Sequence, residues 1–521
     1  MHHTTLSLAA GLAITLSLPL NADVRLPAIF SDNMVLQQNM RVPVWGWASP
    51  GETVTVTFAK DTARTVADAK GAWQVKLGVL KPKGAADVLV VAGRNTLVLS
   101  NVLVGEVWLC SGQSNMQFPV RQVRDADKEL PDAQQYARIR LATVKNVTAV
   151  QPQQDAPVAW QICDSNTVAH FSAVGYFFGR ELHKHLRVPV GLINSSWGGT
   201  PAESWTSREM LNNLDFLTDR LASADLALQR YSPAVASQEW LTAMAAWKTN
   251  AAALKLAAKQ PPRQPQVWDP YRSPWQPCSL FNAMINPLIP YAFRGVIWYQ
   301  GEANAGKAGE YATLFPAMIS DWRQRWRQGD FPFLFVQLAN FMAVQTNPVQ
   351  QDASWPFLRE AQLKTLAFPK TGMASAIDLA DPDNPMDIHP KNKQDVGRRL
   401  LLAARAVAYN DQLIHSGPIF DAMTVAGATA ALTFKHTGTG LMVKNGEPLK
   451  GFAIAGSDQQ WVWATAVIKD NTVRVSSEKV EKPVAVRYDW ANNPIGNLYN
   501  KEGLPASPFR TDTWPEHPPK P

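Results

Sequence analysis

A serine hydroxyl is a weak nucleophile until an imidazole takes its proton, and the imidazole works best when a carboxylate orients it and stabilises its cation. Ser114, in the stretch GEVWLCSGQSNM, can fill the first role, His389 the second and Asp387, two residues upstream, the third. The chemistry open to these groups together is acyl transfer. Its tetrahedral oxyanion needs donors already in place, and losing one usually costs about 10²–10³ in rate. The Ser114 backbone N–H, the N–H of Gly198 or Gly199 and the Gln300 side-chain amide are the donors available.

Elimination among the 9 histidines points to His389. His2 and His3 lie in an N-terminal leader, and His183 and His185 fall on a predicted helix. His415 and His436 lie at or beyond the start of a final β region, and His517 is in the tail. His170 precedes a helix, where a local capping role suits it better.

These residues share a position relative to the elements that must carry them. In a parallel α/β sheet, ligands bind outside the carboxyl ends of the strands. Ser111–Asn115 follows the apolar EVWLC, Trp197–Thr200 follows VGLINSS, Gln300–Glu302 follows GVIWY, and Asp387–Pro390 lies beyond SAIDLA. Singly, each motif is an ordinary turn; their recurrence at successive strand ends carries the argument. Between them run helix patterns, among them one capped by Ser172 with Val174, Phe178 and Leu182 on one face. Others are expected near Phe281–Ile289, Tyr311–Trp326 and Leu358–Leu366, and over KNKQDVGRRLLLAARAVAY. Strand and helix in strict turn predict a parallel sheet covered on both faces.

The flanks differ. Short alternating runs such as ETVTVTF and DVLVVAG before Val102 predict a small antiparallel β domain, and the chain returns to β character from Gly417, with KNGE expected as a hairpin turn. The resulting layout is a leader over 1–22, a β domain over 23–102, an α/β domain over 103–414 and a β region over 415–521. An Ala-rich insertion at about 207–275 is expected as a helical hairpin and loop over the sheet rim.

With 46% hydrophobic and 18% charged residues, the 521-residue chain is too apolar for disorder and too long for a single core. The net charge of +7 comes from 50 basic and 43 acidic residues spread along the chain, with no basic run that resembles a nucleic-acid arm. The apolar run Leu6–Leu20 followed by Asn21-Ala22 reads as a signal peptide, so a periplasmic or secreted protein without membrane insertion is expected. Cys110, Cys163 and Cys278 contain no CxxC pair, so no zinc site is indicated, and they allow at most one disulfide.

The segments GEVWLCSGQSNMQFPV, PVGLINSSWGGTPAESWTS, VIWYQGEANA and DIHPKNKQDVGRRL resemble the sialate O-acetylesterase family of SGNH hydrolases, and the similarity spans nearly the whole mature chain. The resemblance implies a three-layer α/β domain flanked by β domains, Ser114 as nucleophile, His389 as base, Gly199 and Gln300 near the oxyanion, and no cofactor or metal. Asp precedes the histidine by two residues where the family's common arrangement has three, which leaves either Asp387 or a backbone carbonyl to orient the imidazole. The implied substrate is an acetylated carbohydrate, either sialic acid or a plant polysaccharide such as xylan or xyloglucan. Gln113, Asn115, Trp197, Trp205 and Glu302 are expected around it, with Glu302 alternatively a hydrogen-bond partner beneath Gln300. A non-catalytic carbohydrate-binding protein on the same scaffold is the competing reading. A glycosidase would need two facing acids, and Glu203, Glu302 and Asp387 show no spacing that argues for a pair.

Overall fold

The computed structural model describes residues 23–256, 260–350 and 352–514; the leader expected over residues 1–22 lies outside them. In the N-terminal β region the period-two pattern of Thr53–Phe58 turns Val54, Val56 and Phe58 inward. That strand pairs antiparallel with Asp61–Val66 and Asp87–Ala92.

Asp87–Ala92 in turn pairs with the strand Thr96–Gly112, which serves two sheets. Its first residues alternate and remain half exposed, whereas from Val102 to Gly112 every residue is buried. That continuous buried run is what a strand covered on both faces requires. The central sheet has the order Thr371–Ser375, Phe333–Gln337, Gly295–Tyr299, Thr96–Gly112, Val190–Ser196, Ile139–Thr143, Trp160–Ile162. Pairing is parallel from Thr371–Ser375 to Ile139–Thr143, but the edge strand Trp160–Ile162 runs antiparallel to its neighbour. The sheet is therefore mixed, not wholly parallel as expected.

Helices cover both faces. Trp108 packs edge-on against Phe178 of helix Ala173–Leu186, whose first turn is capped by Ser172 Oγ accepting from the Gly175 N–H at 3.0 Å. Helix Lys393–Ala408 lies against this helix at Gly397, where a Cβ would stand 2.6 Å from the Phe178 nitrogen. Trp298, in register with Ser111, faces the other way, into Phe315 and Trp322 of helix Ala308–Trp326. The helix expected near Phe281–Ile289 is a π-turn, Phe281–Ile285, followed by a 3₁₀ turn, Asn286–Leu288. Pro287 cannot donate to the preceding turn, which stops an α-helix there.

The insertion contains helices Thr218–Arg230 and Pro233–Leu256. The C-terminal region has its own core around Phe452, Tyr488 and Phe509, between two four-stranded antiparallel sheets. KNGE does not close a hairpin: the strand before it, Leu441–Val443, pairs with the distant Leu498–Asn500. Hairpin turns lie instead at Gly427, between Ile419–Ala426 and Thr429–Lys435, where φ is +59°, and at Asp470-Asn471, between Thr465–Lys469 and Thr472–Ser476. Arg359, fully buried on helix Trp355–Lys364, joins this region to the α/β domain by donating to the carbonyls of Ala491 and Asn492 as well as Leu338 and Ala339. All three cysteines are buried free thiols. No helix among the described residues is long and apolar enough to cross a membrane.

Candidate active site

The turn that carries Ser114 begins at Gly112, with φ +135° and the Tyr299 carbonyl 2.2 Å from where a Cβ would stand. Only glycine lets the strand end so close to its neighbour. Gln113 follows in extended conformation, giving its N–H to the Tyr299 carbonyl at 2.9 Å and accepting the Ala303 N–H on its side chain at 3.2 Å. The chain then coils through Ser114–Gln117. Within Ser111–Met116 Ser114 alone reaches solvent.

His389 is fixed to this turn from two sides. Asn115 Nδ2 donates to the Ile388 carbonyl at 3.0 Å, and the Phe118 ring stacks on the imidazole with centroids 6.0 Å apart. His389 Nδ1 lies 3.3 Å from Asp387 Oδ1, and that oxygen also accepts the His389 backbone N–H at 3.0 Å. Of the two orienting partners open in the sequence, the carboxylate is the one facing Nδ1. His170 is engaged elsewhere, beside the Arg121 guanidinium.

Beneath the turn lies a buried polar network. Asn115 Nδ2 also donates to Glu302 Oε1 at 2.6 Å, and Asn115 Oδ1 accepts from Lys393 Nζ at 2.5 Å. Lys393 is fully buried, its ammonium 4.9 Å from the Phe118 ring centre and 5.4 Å from that of Tyr299. Burial lowers its pKa to about 7, opposed by the charges of Glu302 and Asp387. Burial raises the Glu302 carboxyl above its ordinary range. Burial, and then the Lys393 charge, push His389 below the usual histidine value, outweighing Asp387. The imidazole is therefore biased toward the neutral form that a general base requires.

Several expected roles change. Gln113 and Asn115 are buried and brace the turn from inside, so they do not line the substrate space. Glu302 pairs with Asn115, not with Gln300. Trp205 is fully buried, with Nε1 on Thr200 Oγ1 at 2.9 Å and its ring edge-on to Trp298, so packing replaces the sugar-facing role. The Gly198 N–H donates to Gln117 Oε1 at 2.9 Å. Gln300 is likewise enclosed, its amide donating to Asn304 Oδ1 at 2.7 Å and the Thr200 carbonyl at 3.3 Å. Asn304 continues to Glu203 at 2.9 Å, so these groups lock the loop after Ser196 against the loop after Tyr299. Neither the Ser114 nor the Gly199 N–H has an acceptor among the described residues. Gly199 is exposed at φ +73°, and Trp197 beside it is partly exposed.

Sequence reasoning missed Lys393, Gln117, Phe118 and Asn304. Lys393 opens a helix four residues after His389, where a cation reads as solvent-facing, and nothing local signals its burial.

A hydroxyl at a sheet rim, next to a residue that binds the backbone of a loop carrying an imidazole and a carboxylate, fits an α/β ester hydrolase. The comparisons place the chain more narrowly. Residues 104–235 and 268–406 match the family model described as carbohydrate esterase, sialic acid-specific acetylesterase, and the chain belongs to this family. It is 33% identical to the sialate O-acetylesterase of Rattus norvegicus, over 92% of this chain and 93% of that one. It is 31% identical to that of Homo sapiens, over 98% of both. The crystal structure of a carbohydrate acetylesterase from Xanthomonas citri superposes with a TM-score of 0.79 at 38% identity, covering 94% of this chain and all of the other. The chain is thus an enzyme, a carboxylic ester hydrolase of the carbohydrate acetylesterase class.

Proposed function

We propose that this enzyme removes O-acetyl groups from carbohydrate through an acetyl-serine intermediate on an SGNH-type fold. Ser114 Oγ attacks the acetyl carbonyl as His389 Nε2 takes its proton. The tetrahedral oxyanion accepts hydrogen bonds from the N–H groups of Ser114 and Gly199. Its collapse breaks the bond to the sugar oxygen, which leaves with the proton carried by His389. Water, deprotonated by the same imidazole, then attacks the acetyl-serine, releasing acetate and restoring Ser114. Asp387 keeps Nδ1 protonated and stabilises the imidazolium.

The observation that carries this reading is the bond from Asn115 to the Ile388 carbonyl, which ties the residue after the serine to the residue before the histidine at 3.0 Å. The names of the relatives, sialate O-acetylesterase and carbohydrate acetylesterase, support O-acetylated sialic acid or another acetylated carbohydrate as substrate. The apolar leader at the start of the chain supports action outside the cytoplasm.

The test is acetate release from O-acetylated sialic acid, acetylxylan and acetylated xyloglucan by the wild type and by Ser114→Ala. Release by the wild type, absent in the variant, with a mass gain of one acetyl group on the Ser114 peptide after rapid quench, supports the reading. Equal release by both proteins overturns it.

A further inference from the structure

The helical insertion ends beside the site. Trp275 donates its indole Nε1–H to the Gly199 carbonyl at 2.8 Å, yet 60% of the residue is exposed. Its single polar group is tied to the loop while the flat apolar ring is bare. An aromatic face fixed at one edge and open to solvent beside the Ser114 loop can receive the apolar face of a ligand.

The space around Gly199 is open: no heavy atom lies within 4 Å of the point where its Cβ would stand. Gly198, one residue back, would place a Cβ 3.2 Å from Ser114 Cβ. The indole is thus anchored one residue along from direct contact with the nucleophile, a chain distance of roughly 4 Å. That offset suits the ring next to the acetylated one, not the acetyl group itself. From Ser273 to Phe281 the segment carries no charged side chain, and the charges just before it, Arg272 and Asp269, pair with each other at 3.5 Å, so the surface beside Trp275 suits a neutral ligand. Trp268 and Tyr271, 56% and 47% exposed a few residues earlier, add further exposed aromatic surface to the insertion.

We propose that Trp275 is the stacking platform for a neutral pyranose adjoining the acetylated residue, so that the substrate is an oligomeric or polymeric glycan and the insertion is part of its binding site. This rests on the acetylesterase reading above. The axial C–H face of a pyranose matches an indole face in size and polarity, and the fixed ring loses little conformational freedom when covered.

The test compares Trp275→Ala and Trp275→Phe with the wild type on acetylated xylo-oligosaccharides and on p-nitrophenyl acetate, which has no sugar. Trp275→Ala is expected to raise KM for the oligosaccharides about tenfold, a larger loss than on p-nitrophenyl acetate. Trp275→Phe, which keeps a ring but not the donor, stays within about threefold of the wild type on the oligosaccharides. Equal losses on both esters, with Phe as damaging as Ala, would show that Trp275 acts only by holding the Gly199 loop, and would overturn the platform. So would no loss in either variant. Should the wild type hydrolyse neither ester, the acetylesterase reading fails on its own. The platform is then decided by titrating unacetylated xylohexaose and free sialic acid against tryptophan fluorescence, with and without Trp275. A Trp275-dependent response to xylohexaose supports the proposal; a response to sialic acid alone, or to neither sugar, overturns it.

Discussion

Lys393 Nζ lies 2.5 Å from Asn115 Oδ1, although the residues are 278 positions apart along the chain. The same amide reaches Glu302 and the carbonyl of Ile388, so one asparagine ties together the nucleophile turn, the histidine loop, the loop after Tyr299 and the start of the Lys393–Ala408 helix. Replacing it should damage fold and catalysis together. Asn115→Ala leaves the buried Lys393 and Glu302 without this partner, a loss of roughly 1–3 kcal/mol by urea denaturation. It should also lower kcat more than it raises KM. A fully stable and fully active variant would show that the network is ornamental.

The pH profile follows from the same lysine. His389 is depressed below its ordinary value of 6.5, first by burial and then by Lys393. The acid limb of kcat/KM should therefore fall below pH 6.5, and Lys393→Met should move it upward. For stability, a depressed histidine binds fewer protons folded than unfolded, so its contribution is present above 6.5 and is lost as pH falls through the folded value. An acid limb unmoved in Lys393→Met would contradict the coupling.

Removing the nucleophile should leave the fold alone. Ser114→Ala should lose about 10³-fold or more in p-nitrophenyl acetate turnover, with the residual rate reflecting binding and oxyanion donors. Its melting temperature should match the wild type. Retained turnover would move the nucleophile elsewhere.

Gly112→Ala probes the strand end. The added Cβ would meet the Tyr299 carbonyl at 2.2 Å with φ at +135°, so either the nucleophile turn or the neighbouring strand must shift. Loss of roughly 2 kcal/mol or more together with loss of esterase activity is expected, and a neutral substitution would sink this account of the turn.

A titration in the C-terminal region can be followed in stability. Burial raises Asp489 to about 7 from an ordinary 3.8, against the opposing effects of the Gly496 backbone and Arg359. A carboxyl raised in this way binds protons more strongly folded than unfolded, so its contribution is full at acid pH and is lost as pH rises through about 7. Asn tolerates the left-handed backbone at this position, φ +52°, so Asp489→Asn should flatten that part of the stability profile. Denaturation midpoints between pH 5 and 8 provide the measurement; an unchanged slope would contradict it.

Much of this architecture was legible because it is local. The buried run ending at Gly112, the Ser172 cap and the alternation of Thr53–Phe58 each depend on neighbours in sequence. Ser114, His389 and Asp387 could be singled out by chemistry and by position after strands. Gln113 and Asn115 were misread because a polar residue beside a nucleophile looks the same whether it points outward or in. Their direction depends on the coil after Gly112 and on groups such as Ala303, Glu302 and Lys393 that only the fold brings near. Trp205 and Trp275 show the same limit in reverse. The tryptophan close to a motif is interior, and the distant one stands at the rim.

The strand Thr96–Gly112 acts as a beam clamped in two walls, with Ser114 mounted just past its inner end. The N-terminal module is therefore no loose appendage: the strand it grips is the one that ends beside Ser114. A gene fragment starting midway along that beam would leave it cantilevered, with the Ser114 turn held from one side only.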